Sequence, residues 1–389
     1  MAGLSHRERV LLALNHQEAD RVPIDLGGWA CYFTEGACCN LLKYLGLSEE
    51  PVINEWFLVE KTSEEVLTRF DVDFRRVSLR PPDGFQTIVH PDGSWTDEWG
   101  IKKRKVGHYS ARLGRTVYYA EMVDPPLAEA SLNDLETYPW PDPRDPGRFR
   151  GLAEQVQHLY ESTDYALVAS AIGQGIFEQA QWLRGPQQFM MDLLLNKDFA
   201  SRLIEKVLEF QLAAMERYLD IVGPYVQIVE TSDDYGTQTG LLVSPALYRE
   251  MLQPSHRRLM EKIKEKTKAK VFLHSCGSIS GILEDLIDVG VDIINPVQPL
   301  AKDMNSEMLK KRFGSRVVFH GGIDVQRVLP YGSVEEVMEE VRYRIRAFGP
   351  GGGYILAPAH NIQDDVPPEN IVAMFEAAHQ YGQYPISTS

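Results

Sequence analysis

From about residue 165 onward, short apolar runs and amphipathic helical stretches alternate along the chain. Runs of strand length begin near Ala166, Val226, Val271, Ile293, Val317 and Tyr354, with helical patterns at 199–222, 245–266, 279–289, 304–313 and 334–348 between them. A strand that is followed by a helix and then another strand must cross back over the sheet, so the strands run parallel. Two further candidates lie upstream, at 21–26 after an opening helix and at 75–79 after a helix at 63–70. Eight such units close a (β/α)8 barrel. The alternation alone also fits an open doubly wound sheet.

Residues about 81–147 break the rhythm. His90 to Trp95 reads as a turn between two strands, the basic run Lys102 to Lys105 reads as a solvated hairpin face, and 138–146 is too rich in proline for a helix or a sheet core. The expectation is an α/β fold, a (β/α)8 TIM barrel with an insertion after the second strand. One such barrel absorbs about 250 residues and can exceed 400 with insertions, so 1–389 is expected to form a single domain.

In a barrel, chemistry gathers where the strands run out at the carboxyl face. The predicted strands end in polar or glycine residues: Asp25 and Gly27 on the first, Gln174 and Glu178 after the third, Glu230, Asp233, Asp234 and Gln238 at and after the fourth. The fifth offers His274 and Cys276, the sixth Asn295 and Gln298, the seventh His320 and Asp324, and the eighth His360, Asn361 and Gln363. These polar ends favour the barrel over the open sheet.

In extended chain, residues i and i+2 point the same way, so His274 and Cys276 can grip one ion and His360 can close the grip from another strand. Imidazole and thiolate are zinc's preferred ligands, and three protein ligands with an open fourth position make a catalytic arrangement. His274, Cys276 and His360 are therefore the predicted metal ligands. Asp233, Asp234 and Glu230 are the candidate acid/base or additional coordinating carboxylates. Gln174, Gln238, Asp25, Gln298 and Asp324 are the candidate substrate contacts.

A net charge of −15 argues against nucleic acid or an anionic membrane as partner. No apolar run reaches the length of a membrane helix, the amino terminus lacks a signal-peptide layout, and the four cysteines form no disulfide framework. A cytoplasmic protein is expected.

Several motifs carry a family resemblance: Arg7 to Leu14 with Asp20-Arg21-Val22-Pro23, His274-Ser275-Cys276-Gly277, His320-Gly321-Gly322-Ile323-Asp324, and Pro367-Pro368-Glu369-Asn370-Ile371. Together they resemble the uroporphyrinogen decarboxylase superfamily, whose members are (β/α)8 barrels. Its true decarboxylases carry an arginine-rich segment after the first strand, to hold the carboxylates of a tetrapyrrole. Here that place reads Asp25-Leu26-Gly27-Gly28-Trp29-Ala30-Cys31-Tyr32, without arginine. Unpaired substrate carboxylates in a closed pocket would be costly.

The other branch is similar at His274 and Cys276. It comprises zinc-dependent, corrinoid-linked methyltransferases, some of which methylate coenzyme M. Their third ligand is typically a cysteine in the last strand, where this chain has His360. That departure argues against coenzyme M as substrate.

The resemblance implies a zinc methyltransferase moving a methyl group from a small, methoxylated donor to the cobalt of a separate corrinoid protein. A decarboxylase-like lyase, a methylcobalamin:thiol methyltransferase and a non-catalytic ligand-binding barrel stay open, as does the oligomeric state, with a homodimer among the options.

Overall fold

A computed structural model describes residues 3–28, 31–56, 58–111 and 113–387. Trp29 and Ala30, part of the arginine-free segment, lie outside the described residues. Strand β1 (Phe74–Val77) precedes four strands of a separate antiparallel sheet: β2 (Ile88–Val89), β3 (Trp95–Thr96), β4 (Lys102–Ser110) and β5 (Arg115–Asp124). Then come β6 (Ala166–Ala169), β7 (Ile228–Ser232), β8 (Lys270–His274), β9 (Ile293–Val297), β10 (Val318–Ile323) and β11 (Tyr354–Pro358). These six continue from β1 in chain order as one parallel sheet.

The eighth position belongs to residues 23–25. The Leu356 amide donates to the Pro23 carbonyl (2.9 Å), the Asp25 amide to the Leu356 carbonyl (2.9 Å), and the Asp73 amide to the Ile24 carbonyl (3.0 Å). This segment therefore bridges β11 to the residue before β1 and draws the sheet's two edges together. It is not the full strand expected at 21–26. Pro23 has no amide hydrogen, and the Ile24 amide donates to the Asp73 carboxylate (2.7 Å) rather than to a strand.

The inward-facing side chains form layers. At the amino-terminal end Phe74, Ala166, Val168, Ile228, Phe272, Ile293, Val318 and Ile355 pack into one buried apolar cluster. Val10 and Leu14 join it from the first helix, His6–Leu14. That helix starts at a capping box in which Ser5 and Glu8 satisfy each other's backbone amides. Two residues further along five of the strands, the same interior face carries Arg76, Glu230, His274, Asn295 and His320, four of them buried and Arg76 half-buried.

The helix expected at 245–266 is interrupted. Tyr248–Leu252 forms a π turn ahead of Gln253–Lys266. Pro254 can neither donate to the preceding turn nor clear its carbonyl.

The antiparallel sheet corrects one expectation. Within the basic run on β4, Lys103 is only 3% exposed. Its ammonium pairs with Asp97 (2.9 Å) and Glu55 (3.1 Å) and lies 4.1 Å from the Trp56 ring centre. The β4–β5 hairpin also reaches the loop after β11, where Tyr119 donates to Gln363 (3.3 Å) and Arg115 pairs with Asp364 (2.6 Å). Among the described residues no helix is long and apolar enough to cross a membrane.

Candidate metal centre

Strand β8 ends at His274, and the chain stays pinned to β9 beyond it because the Ser275 amide donates to the Asn295 carbonyl (2.7 Å). Gly277 then turns at φ +80°, where a side chain would meet the Thr237 carbonyl at 2.5 Å. That close passage sets the 236–237 loop against Cys276. His360 comes from the loop after β11.

The ligand atoms of His274, Cys276 and His360 all lie within 4.8 Å of one another, the one such three-residue group among the described residues. Cys276 Sγ stands 3.5 Å from His274 Nε2, and the two imidazole rings are 6.0 Å apart between centres.

The surroundings favour a cation. Burial, with the nearby Asp234 and Glu178 charges, pushes the Cys276 thiol well above its ordinary range. Burial, reinforced by His274, lowers His360 to about 4, so this imidazole is neutral at pH 7 with a lone pair to give. Burial and the neighbouring Asp234 and Asp233 raise the Glu178 carboxyl well above the usual carboxylate range. A pocket in which thiol and carboxyl both resist ionising is one that a divalent ion would reverse.

Asp234 is placed to take part. One of its oxygens accepts from the Cys276 amide (2.8 Å) and lies 3.6 Å from His274 Nε2. A cavity of about 460 Å³ opens onto Cys276 and His360 and is also lined by Gln238, Gln298 and Asp324. Gln298 donates to Cys276 Sγ (3.5 Å), accepts from the Gly277 amide (2.9 Å) and accepts from Gln238 (3.1 Å). Gln363 and Asp365 line this cavity and also a larger one, about 900 Å³, under the β4–β5 hairpin.

Other expected site residues have hydrogen-bond partners of their own. Asp233 is fully buried, and its carboxylate accepts from the amides of Phe177 (2.9 Å) and Glu178 (2.8 Å) and from the Tyr235 hydroxyl (2.8 Å). It caps the helix Ile176–Arg184, with His256 at 3.0 Å completing its shell. Asp324 lines the cavity, but its oxygens accept from the amides of Gln326 (2.7 Å), Arg327 (3.2 Å) and Val328 (3.3 Å) and so hold the turn after β10.

Glu230 and Asp25 lie in the barrel interior on either side of Arg76. Arg76 donates to Glu230 (3.1 Å) and makes a two-pronged contact with Asp25 (3.0 and 2.6 Å). Gln174 accepts from Gln211 through its main-chain carbonyl (2.9 Å) and lines neither cavity. Glu178, noted after the third strand but given no role there, lies almost a hundred residues before Cys276 and yet near enough for its charge to raise that thiol.

The comparisons with known proteins agree with this architecture. The model of the uroporphyrinogen decarboxylase (URO-D) family matches residues 109–381, well over half of the chain. The chain belongs to the uroporphyrinogen decarboxylase family.

Within that family, methylcobamide:CoM methyltransferase MtaA of Methanosarcina barkeri is 25% identical over 206 residues, covering 51% of this chain and 57% of MtaA. A uroporphyrinogen decarboxylase of Magnetococcus marinus is 25% identical over 184 residues, covering 43% of this chain and 48% of that enzyme. The chain thus spans about half the length of these relatives. A solved methyltransferase from Methanosarcina mazei shares the fold, with a TM-score of 0.63 at 17% identity over 97% of this chain and 99% of that one. The relatives include enzymes of both branches that the sequence motifs resemble.

Proposed function

We propose that this family member is a zinc-dependent methyltransferase that works as a single barrel domain. It takes a methyl group from a small methoxylated compound and passes it to the cobalt of a separate corrinoid protein. The observation that carries this reading is the donor set: one thiol and two imidazoles with ligand atoms within 4.8 Å of one another, beside a cavity. Those donors fit zinc and leave a position open for substrate. Bound there, zinc would act as a Lewis acid on the ether oxygen, and one thiolate with two neutral imidazoles would leave it harder than two thiolates would.

The chain's own groups do the rest. Gln238 and Gln298 hold the cavity wall beside Cys276 and orient the donor. Asp234, which accepts from the Cys276 amide, steadies Cys276 and is the acid/base candidate for the departing oxygen. Similarity to a methylcobamide methyltransferase supports a corrinoid acceptor, and His360 in place of a second cysteine favours an oxygen-bound donor. Similarity to decarboxylases makes a metal-free lyase the second reading.

Purified protein should carry one zinc per chain. It should form methylcobalamin from cob(I)alamin with a panel of methoxylated aromatics, and consume little methylcobalamin with thiols. His360→Cys should keep zinc and lose ether demethylation. Protein that takes up no zinc, or wild type that methylates thiols and no ether, would overturn the proposal.

A further inference from the structure

Beneath the candidate metal centre, an unbroken chain of side-chain hydrogen bonds crosses the barrel interior. Arg76 grips Asp25 through two contacts (3.0 and 2.6 Å). Although burial works against it, the Arg76 charge and the His320 contact hold Asp25 ionised, well below the usual carboxylate range. His320 Nε2 lies 2.9 Å from Asp25, Asn295 Nδ2 lies 2.8 Å from His320 Nδ1, and Asn295 Oδ1 lies 2.7 Å from His274 Nδ1. All four residues from Asp25 to His274 are buried.

The order of donors along this chain has one solution for neutral imidazoles. An ionised carboxylate only accepts, so His320 Nε2 carries the proton and His320 Nδ1 accepts. Asn295 must then turn its amide nitrogen to His320 and its oxygen to His274. His274 must donate from Nδ1. The lone pair is left on Nε2, the nitrogen that faces Cys276 Sγ at 3.5 Å and Asp234 at 3.6 Å. Were the chain reversed, a proton would sit on Nε2 and block it as a ligand.

We propose that Asp25 is a positioning residue: acting through His320 and Asn295, it fixes His274 in the tautomer whose Nε2 is free to bind a cation. This replaces the substrate-contact role suggested for Asp25 by its place at a strand end. It rests on the zinc reading only for its consequence, because the tautomer itself belongs to the metal-free protein.

The first test needs no substitution. Two-bond proton–nitrogen correlation of 15N-histidine-labelled, metal-free wild type, with His274 assigned by its loss in His274→Gln, should find the proton on Nδ1. Asp25→Asn removes the obligate acceptor and should give a mixture of tautomers, with zinc affinity weakened about tenfold in competition with a chromogenic chelator. Asn295→Leu should weaken it by about 10–100-fold, while Asn295→Asp, still an acceptor for His274, should stay within a few-fold of wild type.

A proton on Nε2 in the metal-free wild type would overturn the proposal. So would unchanged tautomer and zinc affinity in both Asp25→Asn and Asn295→Leu. If Asn295→Leu does not fold, the wild-type spectrum and Asn295→Asp still decide. A wild type that takes up no zinc yet shows the Nδ1 proton would sink the proposed function and leave the positioning role standing.

Discussion

Two layers of the barrel interior, two residues apart on the same strands, are built on opposite rules. The lower layer, including Ile228, Phe272, Ile293, Val318 and Ile355, is apolar and plugged by Val10 and Leu14. The upper layer, including Glu230, His274, Asn295 and His320, is polar, buried and joined by directed hydrogen bonds. The same parallel strands carry both layers, with one register shift between β9 and β10 at the upper layer. The lower layer is held by area removed from water, which is tolerant of direction. The upper layer holds together only if each donor meets an acceptor, because a buried polar group left unpaired costs about 1–3 kcal/mol. The first layer stabilises the fold, and the second specifies orientation. That is why a site can be built on the second.

The largest effect that would test this division comes from changing one residue above and one below. Cys276→Ala should lower methyl transfer by three orders of magnitude or more, about 4 kcal/mol, and abolish stoichiometric zinc. Its metal-free urea midpoint should stay near wild type. Ile355→Ala should do the reverse, costing about 3 kcal/mol of stability with zinc content retained in the folded fraction. Equal stability losses from the two variants would erase the distinction between layers.

The neighbouring aspartates sharpen the comparison on a smaller scale. Asp233→Ala strips a buried cap from two helix amides and a tyrosine hydroxyl. It should cost about 2 kcal/mol of stability and leave zinc binding intact. Asp234→Ala should leave stability nearly unchanged and weaken zinc binding. Calorimetry beside denaturant titration separates these outcomes, and loss of zinc in Asp233→Ala with normal stability would return that residue to the site.

The smallest effect is in acid. His360 has a folded value of about 4 against an ordinary 6.5. Below pH 6.5 the unfolded chain therefore takes up a proton that the folded chain refuses until about pH 4. Metal-free protein should lose stability across that window as pH falls, and His360→Gln should lose less. Identical urea midpoints for the two proteins at pH 7 and pH 5 would show that His360 does not titrate as its burial implies.

Much of this was legible in the chain. The strand–helix alternation after residue 165 dictates parallel strands, because a crossover helix permits no other pairing. The His-x-Cys spacing at a strand end places both side chains on one face, because the period of extended chain is two. The missing arginine after the first strand could be read directly.

Other features depended on which strands lie side by side. Asp233 and Asp234 are adjacent acids in an identical sequence setting, yet one caps a helix that precedes it by more than fifty residues and the other meets Cys276. Alternation sends them to opposite sides, but only the position of β7 between β6 and β8 determines what waits there. Glu178 joins the site by the same adjacency. The eighth barrel position looked like a strand and is a short bridge, because Pro23 lacks a donor and Asp73 captures the next one.

By itself, then, the sequence determined the parallel α/β architecture and the identity of the three candidate ligands, since both follow from local periodicity and residue chemistry. Only the tertiary structure decided that His360 closes on His274 and Cys276, that Asp25 pairs with Arg76, and that Asn295 stands between His320 and His274. Those outcomes are set by contacts between distant strands, and a hydrogen bond acquires its direction only when both partners are in place.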